Sequence, residues 1–351
     1  MEINFDIEIK KHLDEIRKLE KTPGVYTASS HSVRTGYDKA WLRDLYFIVL
    51  SFLEVGEIET VKKTARALLD LFIKHKEKIN WAIENKPHET WQYIHARFHP
   101  ETFEEFWEEW GNRQNDAVGE VLNLTCELEL RGVSVVKDEV DKEMVQKIID
   151  YLVKLEYWSD PDNGIWEENL EVHASSVGSV VAALKKAQKI SWLKVPDGVV
   201  EKGEEVLRSL LPRESVGKFA DLALLSLIYP FAVTTEKETL AILRNVEYHL
   251  KRDKGVIRYK NDRYYNANKD GYSEEAEWCF GLSWLAIIYA IRNEKDKAWY
   301  YLRQAKKAVT EKEQVPELYY SHSEKPNANT PLGWSESMYV VALLKMKDIM
   351  K

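Results

Sequence analysis

Leu282-Ser283-Trp284-Leu285-Ala286-Ile287 is apolar on every side of a helix, and Asp296-Lys297-Ala298-Trp299, shortly after it, opens a helix rich in charge. A helix apolar all round must be surrounded by protein, whereas an amphipathic one needs only one covered face. The contrast recurs along the chain. Leu45-Tyr46-Phe47-Ile48-Val49-Leu50, Leu222-Ala223-Leu224-Leu225 and Tyr339-Val340-Val341-Ala342-Leu343-Leu344 are of the first kind, and Val61-Lys62-Lys63-Thr64-Ala65-Arg66 is of the second. Helical periodicity places twelve helices, at about 7–20, 41–55, 57–79, 115–131, 140–156, 174–190, 197–210, 218–229, 235–250, 277–293, 295–309 and 334–349. The even-numbered ones are apolar and the odd-numbered ones amphipathic. Strict alternation implies six buried helices ringed by six outer ones, an all-α (α/α)6 barrel. An open superhelical stack of helix pairs would leave one face of the even helices wet, which their composition does not suit.

Short strands are expected in the loops, at 24–27, 92–98 and 255–259. The longest non-helical stretch, about 80–114, is of a length that in compact domains often carries function. With no linker or low-complexity tail, residues 1–351 read as a single barrel domain without an N-terminal β-sandwich domain. A hydrophobic share of 44% supports a large core. The charged share of 31%, mostly Lys and Glu, leans towards a hyperthermophile surface. A net charge of −8 without a basic stripe argues against nucleic acid as a partner. No stretch approaches the roughly 20 apolar residues that span a membrane, and Met1 to Asp6 hold neither a basic region nor an apolar run, so the expected location is the cytoplasm. Cys126 and Cys279 lack metal-ligand spacing and read as buried free thiols. No metal or other cofactor is expected.

Twelve Trp and eighteen Tyr are many for this length. Trp91, Trp110, Trp158 and Trp166 lie among Asp, Asn, Gln and Glu, where a core does not explain them. Sugars present apolar C–H faces and hydroxyl edges, which aromatics mixed with carboxylates suit. The unusual clusters all precede or open even-numbered helices: Trp41-Leu42-Arg43-Asp44, Trp110 to Asp116, Gly164-Ile165-Trp166-Glu167-Glu168, Glu275-Ala276-Glu277-Trp278, and Pro316-Glu317-Leu318-Tyr319 leading to Pro331-Leu332-Gly333-Trp334-Ser335-Glu336. Inner helices of the barrel run parallel, so these ends converge on one mouth. Taken singly, each cluster has a plainer reading. Arg43 and Asp44 read as a salt bridge at a helix start, Asp116 as an N-cap, and Asp160-Pro161-Asp162-Asn163-Gly164 as a tight turn and not a calcium loop. His173 reads as a packing or capping residue.

Two carboxylates at one mouth fit glycoside hydrolysis. An inverting enzyme needs one protonated carboxyl to give its proton to the leaving oxygen. A second, ionised one activates water, with about 6.5–9.5 Å between them. Glu167 is the candidate acid, since its neighbours Trp166 and Glu168 are of the kinds that raise a carboxyl pKa. Glu317, distant in sequence, is the candidate base.

These blocks, from about residue 24 to the end, resemble glycoside hydrolase family 15, the glucoamylase family, in their residues and their order. Arg258-Tyr259 with Asp262 and Tyr264 adds one more. The sequence is also similar to the glucoamylase-like part of the phosphorylase kinase regulatory chains, most of all at His173-Ala174-Ser175-Ser176-Val177-Gly178. The resemblance implies Glu167 as general acid and Glu317 as general base. It implies that Arg43, Asp44 and Arg258 grip the terminal sugar and that Trp110 lines the pocket, to which Asp116, Trp166, Glu168, Trp278 and Trp334 are added as substrate-binding candidates. The expected activity is release of β-glucose from the non-reducing ends of malto-oligosaccharides or α-glucans. The alternatives are a trehalase- or glucodextranase-type hydrolase and a non-catalytic sugar-binding protein of the regulatory-chain type. The expected partner is an oligosaccharide, and a barrel with trimmed loops leaves room for a homo-oligomer.

Overall fold

The computed structural model describes residues 3–30, 36–264 and 275–350. Twelve α-helices order the described chain: α1 Phe5–Arg17, α2 Leu42–Val55, α3 Ile58–Lys74, α4 Lys76–Asn85, α5 Asn115–Leu130, α6 Glu139–Leu155, α7 Ala174–Ala187, α8 Val199–Leu210, α9 Glu236–Asn245, α10 Phe280–Ile291, α11 Lys295–Lys307 and α12 Gly333–Met350. A 3-10 segment, Leu222–Leu227, stands where periodicity predicts the eighth helix. The inner ring closes through α2, α5, α7, this segment, α10 and α12, each packed on the next and α12 back on α2. Outside it α1 covers α12, α3 covers α2, α6 covers α5, α8 covers α7, α9 covers the 3-10 segment and α11 covers α10. This is the (α/α)6 barrel that the alternation implies.

The chemistry behind the layers is direct. Every residue of α2 from Leu42 to Leu53, and of α10 from Phe280 to Ala290, is buried. The outer α3 buries one face, Val61, Thr64, Ala65, Ala67, Leu68, Leu69, Leu71 and Phe72, and leaves Lys63 and Lys74 exposed. A buried His12–Glu336 contact of 2.6 Å ties α1 to α12.

Three expectations of local structure are corrected. The fourth inner element, expected as the eighth helix, is one tight 3-10 stretch because both ends are fixed: Asp221 caps the Ala223 amide at 2.8 Å, and Pro230 keeps Tyr229 out of the helical region. The third helix breaks at His75, whose Nε2 meets the Phe103 carbonyl at 2.7 Å, and α4 runs on into the stretch expected to be loop. Of the strand expected at 92–98 only Arg97–Phe98 forms, and 255–259 makes isolated bridges from Val256 and Tyr259.

The short strands sit where the inner helices begin. Ala40–Trp41 (β3) pairs with Arg97–Phe98 (β4), and Glu277–Trp278 (β5) with Leu318–Tyr319 (β6), while Glu20–Thr22 (β1) pairs with Val25–Tyr26 (β2). Chain leaving β3 enters α2 at once, and the residues after β5 enter α10. The β3–β4 and β5–β6 pairs thus lock the helix starts that carry the candidate site.

Candidate active site

One pocket of about 220 Å³ gathers residues from all the clusters: Trp41, Arg43 and Asp44; Trp110 and Gly111; Ile165 to Glu168; Trp278; Glu317; Leu332 and Trp334; with Tyr37, Arg258 and Tyr264. It is smaller than the roughly 300–1,000 Å³ of clefts for drug-sized ligands, a size that suits a single sugar ring. Its floor is aromatic. Trp334 lies between Phe280, stacked at 4.4 Å, and Phe47, stacked at 4.5 Å. Trp166 leans on Trp278 at 5.7 Å and on Trp334 at 6.4 Å. Its indole N–H donates to buried Asp221 at 2.8 Å, a carboxyl lifted to about 7 by burial.

Glu167 stands on a turn that only tight geometry allows. Its φ is +61°, a left-handed conformation that costs a non-glycine residue about 1–3 kcal/mol and clusters at functional positions. Gly111 passes so close that a Cβ there would lie 2.8 Å from the Glu167 carbonyl oxygen. The Glu167 carboxylate accepts from the Trp110 indole at 2.7 Å, the Trp41 indole at 2.9 Å and Arg43 at 3.4 Å. Its two sequence neighbours turn to other partners. Trp166 turns into the aromatic floor, and Glu168 is neutralised by Arg258 at 2.8 Å, Tyr259 at 2.5 Å and Lys218 at 3.3 Å. Burial pushes Glu168 up, but those partners, Arg258 foremost, hold it below the usual range.

Glu317 is fully buried, and its backbone is pinned by bonds to Asn329 and Cys279. Tyr37 donates to one carboxyl oxygen at 2.7 Å, and Asn327 and Asn329 to the other at 2.5 and 2.6 Å. Burial raises its pKa above the ordinary glutamate value, and these donors oppose the rise. With roughly four lone-pair positions on a carboxylate, three donors leave one for the pocket.

Arg43 and Asp44 do not pair with each other, because adjacent helical side chains do not face one another. Arg43 holds Asp116 at 2.8 Å, Gln114 at 2.7 Å and Glu167. Burial works against its charge, and the surrounding carboxylates, Asp116 first, outweigh that. Asp116 therefore lies behind Arg43, away from the pocket wall, and the N-cap position belongs to Gln114. Asp44 lines the pocket, and none of the described side chains donates a hydrogen bond to it. Burial lifts Asp44 to about 7 against the pull of Arg43, with Glu167 and Glu317 adding to the rise. Arg258 sits between Asp262, at 2.7 Å through two bonds, and Glu168, with its guanidinium 4.9 Å from the Trp278 ring centre.

His173 opens α7 beside Glu214 and Asp162 accepts the Asn115 amide at 2.9 Å, so the 160–164 segment is a structural turn. Among the described residues no cluster of acids, histidines and cysteines is arranged to hold a metal, both cysteines are buried and free, and no helix is long and apolar enough to cross a membrane. Sequence reasoning missed Tyr37, Asn327 and Asn329. A signal was present: Asn327 and Asn329 alternate between Pro326 and Pro331, and alternate residues of extended chain project to one side.

Several known proteins share this fold. A solved structure described as a glycosidase superposes with a TM-score of 0.82 at 18% identity, covering 98% of this chain and 97% of its own. A bacterial glucoamylase complexed with acarbose gives 0.73 at 16% identity, covering 99% of this chain and 58% of that one. The glucoamylase of Saccharomycopsis fibuligera gives 0.74 at 14%, covering 99% and 95%. At these identities the likeness speaks for the fold. By sequence the chain is 28% identical over 287 residues to the probable phosphorylase b kinase regulatory subunit alpha of Caenorhabditis elegans, covering 67% of this chain and 23% of that one. It is 24% identical over 381 residues to the skeletal muscle isoform of Oryctolagus cuniculus, covering 88% and 30%. The chain spans less than a third of the length of these curated relatives. Residues 12–295, which include Arg43, Asp44, Glu167 and Arg258 and stop short of Glu317, match the model of glycosyl hydrolases family 15, and the chain belongs to that family.

Proposed function

We propose that the protein is an exo-acting, inverting α-glucoside hydrolase that releases β-glucose from the non-reducing ends of malto-oligosaccharides or a related α-glucan. The observation that carries this reading is the pairing of Glu167 and Glu317 on the walls of one sugar-sized pocket. Glu317, ordered by three donors and left with a free acceptor position, takes a proton from water as the water oxygen bonds to the anomeric carbon and the glycosidic C–O bond breaks. Burial raises its pKa above the ordinary glutamate value, which strengthens it as a base relative to a solvated glutamate. Glu167 gives its proton to the glycosidic oxygen, and the Trp41 and Trp110 indoles that hold its carboxyl orient it for transfer. Asp44 accepts sugar hydroxyls, and Arg43 and Arg258 fix the charge around them. An aromatic floor closes the pocket, so a chain enters by its end and does not thread through, which supports exo action. The glycoside hydrolase family membership adds weight.

A second reading rests on the curated relatives, which are regulatory subunits: a protein that binds saccharide and does not cleave it. Proton NMR on maltose, maltotetraose, isomaltose and trehalose separates the two. Glucose appearing first as the β-anomer, and lost in Glu167→Gln, supports the hydrolase. Saturable binding of a sugar without product supports the sensor, and release of the α-anomer first refutes inversion.

A further inference from the structure

The left-handed turn at Glu167 needs support from outside its own segment, since such a conformation persists only where its surroundings over-determine it. The turn belongs to a loop closed at its neck, where Asp162 and Glu171 exchange two backbone bonds of 2.9 and 3.0 Å. Within the loop the Glu167 amide donates to the Gly164 carbonyl at 3.1 Å, and the Glu168 amide to that of Asn163 at 2.9 Å. Bonds of this kind set the shape of the loop. They do not fix its direction relative to the barrel.

His173 stands just past the neck, at the start of α7, and is buried. Its ring lies against the backbone of Gly164, so close that a Cβ there would fall 2.7 Å from Cδ2 and 2.9 Å from Nε2. Nε2 meets the Asn169 carbonyl at 3.4 Å, and Nδ1 lies 3.5 Å from the Glu214 carboxylate. The ring thus touches the loop on both sides of Glu167. Both of its nitrogens face acceptors, which only a doubly protonated imidazole satisfies. Burial works against that charge, but Glu214 and Asp162 outweigh it and lift the imidazole to about 9. Glu214 is itself fixed to the first turn of α7, accepting from the Ser175 hydroxyl at 2.5 Å and the Ser175 amide at 3.2 Å. Packing alone asks for neither a glycine against the ring nor an acceptor at each nitrogen.

On the reading that Glu167 is the general acid, we propose that His173 is a positioning residue whose ring clamps residues 164–169 to α7 and so aims the Glu167 carboxyl at the glycosidic oxygen. His173 is not among the residues that line the pocket, so it acts on the reaction only through the loop.

The leaving group provides the test. In maltose the departing oxygen takes a proton from Glu167 as its bond to the anomeric carbon breaks and water adds there. In α-glucosyl fluoride the C–F electron pair leaves on fluoride, which needs no proton, so the same attack by water proceeds without the acid. His173→Gln and His173→Leu are each assayed on both substrates, so that one variant that fails to fold leaves the other to read. Expected is a kcat on maltose lower by about 10- to 100-fold, the scale of a misplaced catalytic group, with the KM for maltose and the rate on the fluoride held within about twofold. Added to Glu167→Gln, His173→Gln lowers the residual maltose rate by less than about twofold, because residues that act as a unit are not additive. Equal loss on both substrates makes His173 a merely structural residue and overturns the clamp. No loss on either substrate, or a further large loss in the Glu167→Gln background, overturns it too. In those three cases the unchanged protein still cleaves maltose and the hydrolase reading stands. An unchanged protein that cleaves neither substrate sinks that reading, and the clamp with it.

Discussion

Replacing Asp44 by Asn is expected to stabilise the protein at neutral pH and to weaken its hold on sugar. Asp44 is buried with no side-chain donor among the described residues, and its carboxyl is lifted from 3.8 to about 7. Each tenfold change in the ionisation equilibrium corresponds to about 1.4 kcal/mol, so the folded state bears up to roughly 4 kcal/mol from this one charge at pH 7. The raised value sets the window. The cost is absent below the unfolded value of 3.8, grows as pH rises from 4 to 7, and is complete above 7. Asn has nearly the same shape but brings an amide that also lacks a partner, which offsets about 1–2 kcal/mol. A net gain of about 2–3 kcal/mol follows, or on the order of 3–4 °C in Tm for a chain of this size. At pH 4 almost all of the charge cost is gone while the amide penalty stays, so the gain turns into a loss of about 1 kcal/mol. A charged acceptor on a sugar hydroxyl contributes about 1.5–3 kcal/mol, so kcat/KM on maltose drops about 10- to 150-fold. Calorimetric scans of both proteins at pH 4 and pH 7 measure the first effect, and initial rates of glucose release the second. A Tm that falls at pH 7, or changes equally at both pH values, refutes the assignment of Asp44 as a buried charge kept for binding.

Other perturbations address the rest of the site. Glu167→Gln and Glu317→Gln each lower kcat by about 10²–10⁴, the range of general acid–base catalysis, with circular dichroism unchanged; activity that persists in either removes that residue from the chemistry. Because burial raises Glu317 above 4.5 and Asn329 donates to its carboxylate, the acid limb of kcat/KM lies above pH 4.5. Asn329→Ala moves that limb higher still, and a limb shifted downwards in the pH profile contradicts the role of base. Trp334→Ala removes a ring stacked on both Phe47 and Phe280 and costs about 3–5 kcal/mol in chemical denaturation; a loss under 1 kcal/mol means the floor is not a packed stack.

Much of this protein is legible along its chain. The contrast between α10, buried throughout, and α3, buried on one stripe, follows from hydrophobic periodicity, which needs no knowledge of partners. From that contrast came the barrel, and from the barrel the convergence of helix starts that brings Trp41, Trp110, Glu167, Trp278 and Glu317 to one pocket. Local hydrogen-bond competition and proline placement were less legible, so Leu222–Leu227 tightened into a 3-10 turn and the third helix broke at His75.

What tertiary structure alone decided is which charge meets which. Arg43 chose Asp116 and Gln114 over its neighbour Asp44. Glu168 was drawn to Arg258, ninety residues away in sequence, and Glu317 was caged by Tyr37, Asn327 and Asn329. Side-chain pairing and desolvation depend on distances of a few ångströms between segments far apart in the chain. A periodicity can be read from one segment, but a pair, and the pKa that it sets, exists only after folding.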